Sequence, residues 1–333
     1  MKKTIVAGIA VFFILAGFAY AAPVKLKFAT MDPAQSAPVK YAYQPWVDSI
    51  NKDSKGTLDI EVYPGGSLGR NPSLQLKLVM DGVADMAFII PAYTPGRFPE
   101  DDVFLLPFLA ENGLESAIAS QRMYNKGLLS GYDDVVLLAH YTTDVLYLNS
   151  TFPVRAPEDL KGRKLRAGDK FQADYLKRIG AVGIGLSNSK TAENMSRGII
   201  DGSIGDNSSL FSFRISDVAN YHYQIPLGTF ALAVVMNKEK YESLPPEAKD
   251  AINKRREDLV TMWYEAAQRD IKERFEELKT DPKHTVATPT PAEMEKWKAA
   301  LQPAVDAWIE QDPKREKLIK AYQEELDSIR SVR

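Results

Sequence analysis

The fold class is decided by VKLKFAT (residues 24–30), together with LDIEVY (58–63) and MAFII (86–90). The first two segments alternate apolar and polar side chains, as half-buried strands do, and the third is a continuous apolar run typical of a buried strand. Residues 41–50 and 74–79 lie between these segments and have helical spacing. The order strand–helix–strand–helix–strand predicts a parallel sheet covered by helices, and therefore an α/β fold.

A second series of strand-like segments follows in the middle of the chain. We expect it to form a second cycle of strands and helices, from residues 135–140, 164–167, 180–186, 199–204 and 230–236. The last of these segments, FALAVVM, has the unbroken apolar character of a central strand and closes the cycle.

The carboxyl-terminal part of the chain has helical periodicity. Apolar side chains recur at helical intervals from Pro246 to Leu278, which predicts a helix of unusual length that bridges two bodies. Asp281-Pro282 should end it, and TPAE (290–293) is a capping box that should begin the next helix, in which Pro303 predicts a kink. We expect the aromatic side chains of these helices to pack in the core.

Residues 1–21 have the layout of a secretory signal peptide. Lys2 and Lys3 precede an uncharged apolar run, and Ala19-Tyr20-Ala21 provides a small-x-small cleavage pattern. The alternative is an uncleaved membrane anchor, because the uncharged run is close to spanning length. The cleavage pattern and the strand that follows at once favour cleavage after Ala21, with export to the periplasm.

Composition excludes several classes of partner and of chemistry. Of the 42 basic residues, 40 remain after cleavage, against 44 acidic ones. The mature chain is therefore slightly acidic overall, and its net charge does not attract nucleic acid or anionic lipid. No later apolar run is long enough to span a membrane, so we expect no direct insertion after cleavage. The chain has no cysteine, which excludes disulfides, a lipid-modified cysteine and thiol catalysis.

The sequence contains no recognisable catalytic or metal-binding pattern. His140, His222 and His284 are far apart in sequence without metal-ligand spacing, and we expect His222 to be partly buried structure. The acidic pairs at 101–102 and 133–134 have the character of solvated loop residues. We therefore predict no catalytic residue, no metal and no cofactor, although acid–base carboxylates need no fixed spacing and a hydrolase stays an alternative.

Five motifs carry a family resemblance: YPGGSLG (63–69), VADM (83–86), APEDLKGRKLR (156–166), AENMSRGIIDG (192–202) and MNK (236–238). In this order they resemble the substrate-binding subunits of tripartite ATP-independent periplasmic (TRAP) transporters, the DctP-like family. The resemblance covers the whole mature chain. It implies a two-domain, clam-like solute-binding fold of mostly parallel sheets flanked by helices, with a long helix spanning both domains.

The same resemblance implies the domain boundaries and the principal ligand contact. Domain I would comprise residues 22–143 and 232–271, and domain II residues 144–231 and 272–333. Arg166 matches the family's hallmark arginine, which binds the carboxylate of the ligand. A guanidinium group suits that role because its planar fork can meet both carboxylate oxygens. The alternative for Arg166 is an ordinary surface salt bridge, and we expect its neighbours Lys161, Arg163 and Lys164 to be solvated.

Two departures from the family pattern narrow the ligand. Members of the family that bind sialic acid resemble one another in having a second arginine about twenty residues before the hallmark one. This chain has Val145-Leu146-Tyr147 there, which argues against sialic acid as the ligand. Many members carry an asparagine that touches the ligand after the Asp-Gly turn, where this chain has Gly205. We expect Asp206 or Asn207 to take over, accepting a hydrogen bond from a ligand hydroxyl.

Four further residues complete the predicted site. Asn188 and Phe230 match positions where the family lines its cleft. Tyr93 and Thr143 follow the ends of two predicted strands, where open α/β folds bind ligands, and loop packing is the alternative for both.

The resemblance implies capture of a small organic acid by domain closure and its delivery to the TRAP membrane subunits. No covalent chemistry is required. The alternatives are a binding protein that serves a sensor kinase and a periplasmic enzyme acting on a carboxylate. Hydroxy, keto, aromatic and sugar acids all fit the sequence as ligands.

Overall fold

The structure is a computed structural model that describes residues 22–332. The predicted signal peptide and its cleavage after Ala21 therefore lie outside the described residues. Within the described part the strands are β1 (Val24–Ala29), β2 (Leu58–Tyr63), β3 (Met86–Ile89), β4 (Val135–Thr142), β5 (Tyr147–Ser150), β6 (Lys164–Ala167), β7 (Val182–Gly185), β8 (Gly202–Gly205), β9 (Tyr221–Tyr223), β10 (Ala231–Asn237) and β11 (Thr285–Ala287).

The helices alternate with these strands along most of the chain. They are α1 (Gln44–Asp53), α2 (Gln75–Met80), α3 (Gly113–Asn125), α4 (Lys170–Arg178), α5 (Thr191–Ser196), α6 (Asn207–Ser212), α7 (Lys238–Glu242), α8 (Pro246–Arg255), α9 (Asp258–Thr280), α10 (Pro291–Ile309) and α11 (Lys314–Arg330). No helix within residues 22–332 is both long and apolar enough to cross a membrane.

The first sheet has the strand order β2-β1-β3-β10-β4. Strand β1 pairs in parallel with β2 and β3, as the sequence predicts, and β10 pairs antiparallel with both β3 and β4. The prediction that residues 135–140 and 230–236 open and close a second cycle is wrong, because both segments complete the first sheet. Residues 231–236 are buried in full, as a strand flanked on both sides requires.

The second sheet has the order β11-β9-β5-β8-β6-β7. Strands β6, β7 and β8 run parallel, and β5 runs antiparallel between β8 and β9. The predicted segment 199–204 begins late, since only residues 202–205 form a strand. Two mixed, mostly parallel sheets flanked by helices give the predicted two-domain α/β class.

Three connections join the two sheets. Residues 143–146 lead from β4 to β5 and residues 224–230 from β9 to β10, and the two segments pair with each other. In this crossing ribbon the amide of Thr143 donates to the carbonyl of Phe230 at 2.9 Å, and Leu146 donates to Gly228 at 2.8 Å. Helix α9 is the third connection, because it packs against β4 of the first sheet and against β11 of the second.

The long helix differs from its prediction in one respect. It breaks at residues 256–257 into α8 and α9, where the indole nitrogen of Trp46 donates to the carbonyl of Arg255 at 2.7 Å. That carbonyl is thus bonded from outside the helix at the point where the helix is interrupted. Helix α9 ends at Asp281 as predicted.

The capping box that begins α10 is confirmed. Glu293 donates its amide to the hydroxyl of Thr290 at 3.2 Å, and its carboxylate accepts from the amide of Thr290 at 2.7 Å. The tryptophans of the carboxyl-terminal helices are buried as predicted, Trp263, Trp297 and Trp308.

Candidate functional site

A cleft lies between the two sheets, where the carboxyl ends of β1, β3 and β4 face those of β6, β7 and β8. Its volume is about 580 Å³, counted to the open mouth. The lining comes from both bodies: Met31, Asp32, Pro38, Pro72, Phe88, Ile90, Tyr93, Thr143, Ser187, Asn188, Ser189, Asp206, Ser208, Ser209, Ser212, Phe213, Leu232 and Trp263. This is the edge at which open α/β sheets bind ligands.

Arg166 is 0% exposed and lies beside this cleft, behind its lining residue Tyr93. Its Nε donates to the carbonyl of Leu186 and its Nη1 to the carbonyl of Ile204, each at 2.8 Å. Its Nη2 donates to the hydroxyl of Tyr93 at 3.1 Å. In residues 22–332 no carboxylate forms an ion pair with it, so the surface salt bridge considered as an alternative is absent there. A buried guanidinium group with neutral partners is costly unless an anion joins it.

The motif around residue 166 explains how the chain holds this side chain. The carboxylate of Asp159 accepts from the amides of Arg155 and Ala156 and closes the turn before β6. The carboxylate of Asp201 accepts from the amide of Lys164 at 2.8 Å, which ties the Asp-Gly turn before β8 to the start of β6. Both contacts fix the strand that carries Arg166.

Gly168 provides room for the Arg166 side chain and for Phe230 of the crossing ribbon. A Cβ at position 168 would lie 2.2 Å from Cζ of Phe230 and 2.9 Å from Nη2 of Arg166. The Phe230 ring lies 5.8 Å from the guanidinium carbon, within the range of a cation–π contact. A side chain at 168 would therefore displace the ring or the guanidinium group.

Tyr93 links the two bodies at the inner end of the cleft. Its hydroxyl oxygen accepts from Nη2 of Arg166 and, at 3.4 Å, from the amide of Asn188. Because both contacts use the oxygen as acceptor, the hydroxyl hydrogen remains to be donated into the cleft. Tyr93 and Arg166 together therefore present two donors to an anion.

The other predicted residues divide into two groups. Thr143, Asn188 and Asp206 line the cleft, and Phe230 lies beside Arg166 with its amide bonded to the Thr143 hydroxyl at 3.0 Å. Asn207 lies within α6, is 7% exposed and is not among the lining residues. A Cβ at Gly205 would lie 3.0 Å from Oγ of Ser209 and 4.0 Å from Oδ1 of Asn188, so a side chain here would press on the Ser209 hydroxyl.

Several cleft residues were missed by the sequence analysis. Asp32 follows β1 and lines the cleft, as do the aromatic side chains of Phe88, Phe213 and Trp263. Burial raises the pKa of Asp32 to about 7, and the carboxyl of Asp206 adds to the shift, while a hydrogen bond from Thr30 opposes it. The strand-end rule that selected Tyr93 and Thr143 applies equally to Asp32.

Two expectations for polar residues outside the cleft need correction. His222 and His284, distant in sequence, lie with Nε2 and Nδ1 3.1 Å apart, because β9 and β11 are neighbours. Asp101 is buried, where it accepts from Tyr132 at 2.6 Å and contacts Nε2 of His140 at 3.0 Å. Side chains that could together hold a metal ion, three or more in a group, are absent from the described residues.

The fold has two domains joined by a crossing ribbon, and a buried guanidinium group without an ion pair lies beside the cleft between them. These features define a solute-binding protein. The chain belongs to the bacterial extracellular solute-binding protein family 7, DctP, whose model matches residues 28–312. It therefore belongs to a family of periplasmic binding proteins.

The comparisons with individual proteins agree. A solute-binding protein of Albidiferax ferrireducens is 26% identical over 226 residues, 66% of this chain and 67% of the relative. The C4-dicarboxylate-binding protein DctB of Bacillus subtilis is 26% identical over 284 residues, 81% of this chain and 78% of the relative.

Solved structures match over almost the whole length. A marine metagenome TRAP solute-binding protein specific for aromatic acids, in complex with metahydroxyphenylacetate, is 25% identical with a TM-score of 0.85, over 92% of this chain and 99% of that one. A TRAP solute-binding protein of Rhodoferax ferrireducens with copurified benzoate is 25% identical with a TM-score of 0.84, over 93% and 99%.

Proposed function

We propose that this protein binds a small carboxylate with an apolar, aromatic body and delivers it to the membrane subunits of a TRAP transporter. The observation that carries the proposal is Arg166, a fully buried guanidinium group without an ion pair in the described chain. An incoming carboxylate supplies the missing negative charge, and burial makes that pairing stronger than at a surface.

The cleft walls favour an aromatic ligand over a short dicarboxylate. Phe88, Phe213 and Trp263 line the space beyond Arg166, with Ile90 and Leu232 beside them. A flat ring buries apolar surface against such walls, whereas a second carboxylate gains nothing from them. Benzoate and metahydroxyphenylacetate, bound by the two structural relatives described above, are ligands of this type.

Closure of the two domains follows from where the contacts originate. Arg166 and Asn188 belong to the second sheet's body, and Tyr93 and Thr143 come from the first sheet or its end. A ligand that touches both groups binds the closed form better than the open form, and this difference in affinity drives closure. The two bodies that we propose to move are residues 22–143 with 232–271 and residues 144–231 with 272–333.

We propose that the protein acts in the periplasm and catalyses no reaction. Residues 1–21 would direct export, and cleavage would follow Ala21. The mature protein would then reside in the periplasm, where TRAP membrane subunits can receive its ligand. Capture and release need no bond to be made or broken, so we propose that the protein is not an enzyme. Incubation with a bound acid should return that acid unchanged, and the appearance of a product would contradict this part.

The central test compares two arginines of one segment by calorimetry with benzoate and 3-hydroxyphenylacetate. Arg166→Ala should weaken binding by at least about 100-fold, because it removes one partner of a buried charge pair. Arg163 is exposed and stacks on Phe152 at 4.1 Å, so Arg163→Ala is the matched control and should bind as the wild type does. Equal affinity of the Arg166 variant and the wild type would refute the proposal.

A further inference from the structure

The cleft has a second charged region, formed by two carboxyl groups from opposite bodies. Asp32 follows β1 of the first sheet, and Asp206 follows β8 of the second. Both line the same cleft, and each carboxyl raises the other's local negative potential, as the effect of Asp206 on the pKa of Asp32 indicates. Asp206 is 4% exposed.

Neither carboxyl is neutralised by a cation. Arg166 lies behind Tyr93, and among the described residues no lysine or arginine is part of the cleft lining itself or forms an ion pair with either aspartate. Asp206 accepts from the amide of Ser209 at 2.9 Å through Oδ1, and Asp32 contacts the Thr30 hydroxyl at 3.4 Å through Oδ2. Each carboxyl therefore retains lone pairs for a donor that the described chain does not supply.

A hydrogen-bond donor also faces this region without a partner. Trp263 lines the cleft and is 4% exposed, yet its Nε1 makes no hydrogen bond of normal length in the described chain. The Tyr43 hydroxyl, which pairs with that of Tyr141 at 3.2 Å, interacts with both Asp32 and Trp263, so these two side chains lie near one another. The region thus combines two carboxyl groups that retain free lone pairs with an indole N–H that has no partner at normal hydrogen-bond length.

We infer that Asp32, Asp206 and Trp263 form a subsite for a hydroxyl group of the ligand, so that the ligand is a hydroxy-monocarboxylate. This inference rests on the proposed function, since it requires the carboxylate to be at Arg166. A hydroxyl donates to an aspartate and accepts from the indole nitrogen at once, whereas an ammonium group can only donate. A second carboxylate would meet two acidic groups in a poorly solvated space and is rejected.

The experiment measures affinities for four acids that share one scaffold. These are phenylacetate, its 3- and 4-hydroxy derivatives and 3-carboxymethylbenzoate, titrated into the mature protein at pH 7.5. At least one hydroxy acid should bind about tenfold or more tightly than phenylacetate, because its hydroxyl gains a bond to a charged acceptor. The dicarboxylate should bind at least about tenfold more weakly than phenylacetate.

Three variants locate the effect. Asp32→Asn and Trp263→Phe should each reduce the preference for the hydroxy acid over phenylacetate to about threefold or less, and this ratio is the readout because any loss of ring packing weakens both acids alike. Asp206→Asn should act in the same way, and asparagine preserves the cap of α6. Asp59→Asn, an exposed change on β2, is the control and should leave every ratio unaltered. A cooperative urea transition shows that each variant is folded.

The outcomes separate this inference from the function on which it rests. Equal binding of phenylacetate and both hydroxy acids, or a preference that persists in the Asp32 and Trp263 variants, overturns the hydroxyl subsite and leaves the carboxylate proposal standing. Binding of all four acids that is insensitive to Arg166→Ala overturns the proposed function and the subsite with it. Absence of binding to all four acids does the same.

Discussion

The cleft borders two regions of opposite charge, which we call its cationic end and its acidic end. At the cationic end, the guanidinium group of Arg166 is fixed by two backbone carbonyls and one phenol, all of them neutral. At the acidic end, Asp32 and Asp206 come from different bodies and have only hydroxyl and amide partners in the described chain. The rigid cationic end would fix the orientation of the ligand's carboxylate. The acidic end, divided between the domains, would distinguish ligands by the polar group that they place there.

The largest effect should come from changing the shape of the cationic end while keeping its charge. Arg166→Lys should weaken carboxylate binding by about 10- to 100-fold, because an ammonium group cannot donate to both backbone carbonyls and to the ligand from one planar fork. Calorimetry with benzoate measures this. Wild-type affinity in the lysine variant would show that charge alone matters at this end.

The packing around Arg166 provides the next test. Gly168→Ala should lower the free energy of unfolding by about 2 kcal/mol, since the new methyl group overlaps the ring of Phe230. Gly185→Ala on β7 is the matched control, because a Cβ there meets no atom within 4 Å. Urea denaturation measures both, and Phe230→Leu in the Gly168→Ala background should restore part of the loss. An undiminished loss in the double variant would place the strain elsewhere.

The acidic end should make the free energy of unfolding depend on pH. The pKa of Asp32, raised by burial from 3.8 to about 7, means that between these pH values the folded protein holds a proton that the unfolded chain has lost. Stability from this group is therefore intact below pH 4, falls as the pH rises toward 7, and stays low above it.

Asp32→Asn should remove this dependence. At pH 8 the variant should be more stable than the wild type by about 2 kcal/mol, a value that allows for partial solvent screening, and at about pH 3.5, below the unfolded pKa, the difference should nearly vanish. Urea midpoints at the two pH values measure the change. Parallel pH profiles for the two proteins would contradict the assignment to Asp32.

The smallest effect is expected where the two bodies meet. Tyr93→Phe removes the oxygen that accepts from Arg166 and from the amide of Asn188, and should weaken benzoate binding by about threefold to tenfold. Calorimetry is again the measurement. Tyr63→Phe serves as the control, because it loses only a hydroxyl contact to Glu61 and Tyr63 is not among the lining residues. Equal losses in both variants would argue against a role in the cleft.

The sequence predicted those parts of the fold that depend on local periodicity. Strands β1, β2, β3 and β6 were located because apolar patterning specifies them. Strands β5, β9 and β11 were not predicted. Each has only three or four residues, and buried polar side chains such as Asn149 and His222 interrupt the alternation of apolar and polar residues that would identify a strand. Sheet membership of β4 and β10 depends on pairing between distant segments, which local pattern does not encode.

The site was predictable to a similar extent. Strand-end reasoning reached Tyr93 and Thr143, and the family resemblance singled out Arg166, which local pattern cannot separate from Arg163 because β6 is buried along three successive residues. Asp32 was accessible to the same reasoning and was overlooked. Trp263 was assigned to the core by its helical spacing and is indeed buried, but spacing does not reveal that one edge of a core residue borders a cleft.

The crossing ribbon has a mechanical consequence. Because residues 143–146 and 227–230 are hydrogen-bonded to each other, the two peptide connections cannot bend independently, and we expect them to act as a single hinge with one preferred axis. Thr143 belongs to that hinge and lines the cleft, and Phe230 belongs to it and lies beside Arg166. A bound molecule would therefore contact the axis of opening, and we expect its size to affect the angle between the closed bodies.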